Sequence, residues 1–153
     1  MSHREQFERL VRNYQRLAQI ERGRKHDMPS EHYRDDVYSF FLNCYHLKDW
    51  LINDLDFPAT SAEIESYINA HQELQLCADI RNAHKHLQLK KPRSAENPSV
   101  GGQQIHLTLG PEEPAIKIKF TIDTASGPRD AFDLATKCLE LWRQFIMSKG
   151  GAA

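Results

Sequence analysis

The chain lacks any run of about 18 apolar residues, the length a helix needs to cross a bilayer. Its densest apolar region, Val37 to Leu55, is interrupted by Asn43, His46, Lys48, Asp49 and Asn53. The opening Met-Ser-His-Arg-Glu-Gln is polar and has no signal-peptide core. Only three cysteines occur (Cys44, Cys77, Cys138); none forms a C-x-x-C pair, and each falls in an apolar helical pattern. An odd, widely spaced set excludes a disulfide framework and fits reduced, buried thiols in a cytoplasmic protein. There is no H-E-x-x-H and no Cys/His cluster of ligand spacing, so no metal site and no cofactor are expected. Gly101-Gly102 is not followed by Lys-Ser/Thr, and no G-x-S-x-G is present, which leaves nucleotide hydrolysis and serine-type acyl transfer without support. No internal repeat and no long low-complexity tract divides the chain.

What is present is ordinary for a globular protein: 153 residues, 40% hydrophobic and 27% charged, enough for one domain over residues 1–153 with a core of its own. Phe7, Leu10, Val11, Tyr14, Leu17 and Ala18 recur at helical spacing, and that helix should end near Gly23, ahead of a basic linker, Arg22-Gly23-Arg24-Lys25. A second helix carries Val37, Phe40, Phe41, Cys44, Leu47, Leu51, Ile52 and Leu55; its wide apolar surface predicts a central position. Asp56-Phe57-Pro58 breaks it, and Thr60 with Glu63 makes a capping box for a third helix, straight or kinked, running to about Leu87. His71, in that helix's apolar stripe, reads as a hydrogen-bonded, half-buried residue. The period then changes to two: Ile105, Leu107 and Leu109, then Ile116, Ile118, Phe120 and Ile122, predict a β-hairpin over about 103–123. Pro128 should start a last helix with Phe132, Ala135, Cys138, Leu139, Trp142, Phe145 and Ile146 on one face. The expected fold is mainly α, a four-helix bundle with a β-hairpin inserted between helices 3 and 4.

Charge is close to balanced, 20 basic against 21 acidic residues for a formal net charge of −1, which excludes indiscriminate coating of nucleic acid. Its distribution is uneven. From Arg81 to Arg93 there are five Lys/Arg and no Asp/Glu, leaving 15 basic and 21 acidic residues elsewhere. At about 100° per residue, Asn82 and His86 share a helix face, and Arg81 can reach around the helix end with its long side chain. Arginine brings a permanent charge and a fixed fork of donors suited to phosphate. Histidine can move a proton near neutral pH. Together they fit metal-independent cleavage of RNA, in which the ribose 2′-hydroxyl attacks its own phosphodiester.

The run Arg81-Asn82-Ala83-His84-Lys85-His86 resembles the Arg-x4-His form of the motif of HEPN domains, with Asn in the polar slot after the Arg. That resemblance implies a helical bundle with the motif near the end of a late helix. It also implies an endoribonuclease of toxin or phage-defence type, and a homodimer in which two motifs meet. Arg81 would then stabilise the phosphate, His86 act as general acid/base and Asn82 assist. His84, Lys85, Lys90, Lys91 and Arg93 become candidate RNA contacts, and an antitoxin or other partner protein becomes an expected partner. The alternative is a non-catalytic helical dimer serving as a nucleotide- or protein-interaction module, with the same cations placed favourably at a helix C-terminus.

Overall fold

The computed structural model describes residues 2–86, 92–109, 111, 114–151 and 153, the side chains of 84–86 excepted. Among the described residues the chain forms α1 (His3–Arg22), β1 (Arg24–Lys25), α2 (Ser30–Asn53), α3 (Ser61–Ala70), α4 (Gln72–His86), β2 (Ser99–Thr108), β3 (Ala115–Thr124), β4 (Gly127–Asp130) and α5 (Ala131–Ser148). Among these residues no helix is long and apolar enough to cross a membrane.

The central helix is the expected one. α2 buries Tyr33, Val37, Phe40, Phe41, Cys44, Leu47 and Leu51 almost completely and packs on α1, α3, α4 and α5. Such a wide apolar surface is what a helix surrounded by neighbours needs. α1 adds Phe7, Leu10, Leu17 and Ile20 to the same core, and α5 adds Leu134, Cys138, Trp142, Phe145 and Ile146.

Two departures from the sequence-based expectation make this a mixed α/β fold rather than a four-helix bundle with an inserted hairpin. The predicted third helix is two helices. Thr60 and Glu63 form the expected capping box, but α3 ends at Ala70 because His71 turns extended (φ −128°, ψ 111°). Carbonyls freed by that ending are satisfied by side chains: His71 Nδ1 donates to Tyr67 O at 2.7 Å, and Gln75 Nε2 donates to Asn69 O at 2.7 Å. The break therefore costs little hydrogen bonding, which a periodic apolar stripe alone does not reveal.

The second departure is the sheet. The hairpin of β2 and β3 is present, with Ile105 opposite Ile118 and Leu107 opposite Ile116. It grows by two short strands on the far side of β3, giving a four-stranded antiparallel sheet. Arg24 and Lys25, expected to be linker, pair with Ile116 and Ala115, after Gly23 at φ +101° turns the chain out of α1. Gly127–Asp130, where Pro128 was expected to begin the last helix, instead pairs with 121–124. α5 starts at Ala131, with the Asp130 carboxylate accepting the Asp133 N–H at 2.9 Å. Ile116, Ile118, Phe120 and Ile122 all face inward and are buried, and β3 packs on α1 and α5. The sheet is a wall of the core, not an appendage. At the bulge between Val100 and Gln103, Arg34 of α2 donates to Val100 O at 2.7 Å and to Gly101 O at 3.1 Å, supplying partners that the irregular ladder leaves out.

Candidate functional site

α4 is anchored by Leu74, Leu76, Cys77, Ala78 and Ile80, all buried, against α2 and α5. Arg81, Asn82 and Ala83, which follow, are half-buried at the surface. Arg81 Nη1 donates to Asn82 Oδ1 at 2.9 Å, and the guanidinium carbon lies 5.1 Å from the centre of the Tyr45 ring on α2. Both partners are neutral. They hold the cation in place by a hydrogen bond and a cation–π contact without cancelling its charge. Arg81 and Ile80 also form one wall of a groove of about 230 Å³, whose other wall is Asp35, Tyr38, Ser39 and Leu42 of α2. Tyr38 and Leu42 give that groove an apolar, partly aromatic side opposite the cation.

His46, next to Tyr45 on α2, belongs to the same surface. Burial lowers its pKa below the ordinary imidazole value, the Arg81 charge lowers it further, and Asp49 opposes both. The imidazole is thereby biased towards its neutral, proton-accepting form. Lys48 joins from the same helix, its ammonium 5.4 Å from the Tyr45 ring centre and 2.6 Å from Glu65 Oε1.

Arg93 is the expected RNA contact whose side chain lies among the described residues. Its guanidinium pairs with Glu65, so it completes a Lys48–Glu65–Arg93 triad. Burial works against the Glu65 charge, but the bonds from Lys48 and Arg93 hold its carboxyl below the usual range. The Arg93 backbone is tied down as well. Asp79 of α4, only 1% exposed, accepts Arg93 N–H at 2.7 Å, Ser94 N–H at 2.8 Å and Ser94 Oγ–H at 2.5 Å. A buried carboxylate thus clamps the segment that follows the basic run back onto the helix that precedes it.

The structure brings together Arg81 and Asn82 and adds Tyr45, His46 and Lys48, which sequence reasoning had not assigned to the site. The side chains of His84, Lys85 and His86, and the whole of Lys90 and Lys91, lie outside the described residues. The added residues sit on α2, distant in sequence; the one signal for them was the polar margin of that helix around His46, Lys48 and Asp49. Comparison with protein-family models, curated proteins and solved structures returns no match to this chain.

Proposed function

We propose that the chain binds RNA at the Arg81 end of α4 and cleaves it without a metal ion. The observation that carries this reading is the posture of Arg81: a permanent cation seated on Tyr45 and Asn82, at the mouth of a groove, with a neutral-biased imidazole beside it. In the proposed reaction the 2′-hydroxyl oxygen bonds to phosphorus and the bond to the 5′-oxygen breaks. One imidazole takes the 2′-hydroxyl proton, and a protonated group supplies one to the leaving oxygen. His86 is the acid/base carried by the resemblance to HEPN domains; His46 is the second imidazole on the facing helix. Arg81 stabilises the charge that builds on the phosphoryl oxygens, and the groove beside it is lined by Tyr38 and Leu42.

The test is incubation of single-stranded RNA with the protein in EDTA. Cleavage should leave 2′,3′-cyclic phosphate ends. Arg81→Ala should slow it by a factor of about 100 or more, the scale of removing one preorganised charge-stabilising group, and His86→Ala by a similar factor. Full activity in Arg81→Ala overturns the assignment. Salt-dependent RNA binding that Arg81→Ala abolishes, with no cutting by the wild type, would leave the non-catalytic RNA-binding reading in its place.

A further inference from the structure

The core holds a cluster that RNA chemistry does not use. Cys44 of α2, Cys77 of α4 and Cys138 of α5 are free thiols, exposed by 1% at most, and their sulfurs all lie within 4.8 Å of one another. Each comes from a different helix, so the sulfurs mark the point where three helices converge. Two thiol protons are directed at main-chain acceptors: Cys77 Sγ–H donates to Phe41 O at 3.3 Å and Cys138 Sγ–H to Glu73 O at 3.4 Å. A second, independent feature points at the same place. The Trp142 indole N–H, one turn from Cys138 on α5, is buried with no hydrogen-bond partner and neighbours the Cys44 sulfur. An orphaned buried donor costs about 1–3 kcal/mol, and a negatively charged sulfur would relieve it.

Three thiolates around one ion, at a metal–sulfur distance of about 2.3 Å, stand about 4.0 Å apart in a trigonal plane. Separations within 4.8 Å reach that geometry by contraction of less than an ångström. Zinc in a structural site takes four ligands, and no histidine or carboxylate among the described residues joins the three sulfurs. All-sulfur, three-fold ligation is the preference of a soft monovalent ion.

We propose that Cys44, Cys77 and Cys138 form a trigonal thiolate site for a single thiophilic ion of the monovalent copper class. Each copper–sulfur bond forms as the thiol proton leaves to solvent, and no electron changes hands.

The test uses the reduced 153-residue chain under anaerobic conditions, titrated with monovalent copper held by a coloured competing chelator. One equivalent should be withdrawn per chain, with a rise in melting temperature. Cys44→Ala, Cys77→Ala and Cys138→Ala, each checked for its fold by circular dichroism, should weaken binding at least 100-fold. X-ray absorption of the wild-type copper complex should show three sulfurs and no nitrogen or oxygen in the first shell, a result that does not depend on any variant folding. Failure to compete with the chelator, nitrogen ligation by the histidines, or preferential uptake of zinc from an equimolar mixture would each overturn the proposal. None of these outcomes bears on RNA cleavage.

Discussion

Replacing Asp79 should separate the clamp it makes from the general burden of mutating a core residue. Its carboxylate is almost fully buried and receives three hydrogen bonds from two consecutive residues. Hydrogen bonds to a charged acceptor contribute about 1.5–3 kcal/mol each, and less when the freed donors regain water. Arg93 is exposed and Ser94 half-buried, so freed donors there regain part of their hydration and the net cost of Asp79→Ala should be about 3 kcal/mol. For a chain of this size that corresponds to a fall in melting temperature of roughly 6–12 °C. Asp79→Asn keeps the shape but turns one acceptor into a donor. Whichever way the amide is oriented, it must face at least one N–H with its own, so about half the loss should remain. Ser94→Ala removes one of the three bonds and should cost about 1 kcal/mol. Thermal and urea unfolding followed by circular dichroism would measure all three. A shift below about 2 °C for Asp79→Ala would refute the view that this carboxylate holds the segment after the basic run against α4.

Two further outcomes follow from local geometry. Glu63 accepts from Thr60 N–H at 2.7 Å and pairs with Lys149 at 2.6 Å; chiefly the Lys149 bond, then those from Thr60, lower its pKa from 4.5 to about 2. A carboxyl depressed by folding stabilises the native state fully above its ordinary pKa and loses that contribution as pH falls through the depressed value. The native protein should therefore lose stability between pH 4.5 and 2 more steeply than Glu63→Gln, and equal acid limbs in the two proteins would contradict the pairing. Arg34→Ala should cost about 2 kcal/mol and speed amide exchange along β2, because the carbonyls of Val100 and Gly101 lose the donor that α2 lends the bulge; unchanged exchange would show that the bulge holds itself.

The helical part of this fold is readable because burial leaves a periodic mark. α1, α2 and α5 each carry an apolar stripe of period near 3.6, and Thr60 with Glu63 announces the start of α3 in sequence. The breaks were harder to read. Nothing in the stripe through Ile64, Ile68, Leu74 and Cys77 says that His71 will turn extended, because the stripe continues on both sides and the reason lies in two side chains that cap freed carbonyls. Strands β1 and β4 were illegible for a different reason. Two to four residues are too few to show a period, and their pairing with β3 depends on where other elements deliver them. The site divides along the same line. Arg81 and Asn82 stand out by residue type and by the charge imbalance around them, whereas Tyr45, His46 and Lys48 join them only because α2 packs on α4. The three cysteines were legible one at a time as core thiols; their meeting is a property of three helices together.

Cys44 and Tyr45 are neighbours on α2, one turned into the core and the other lying beneath Arg81. Cys77 and Arg81 stand one turn apart on α4. The same two helices therefore run as a splint between the buried sulfurs and the half-buried cation. An ion drawing the sulfurs together would therefore act on the two helices that seat Arg81. Should both ligands bind as proposed, linkage makes the effect mutual: whatever factor an ion at the thiols applies to RNA affinity, RNA applies to ion affinity.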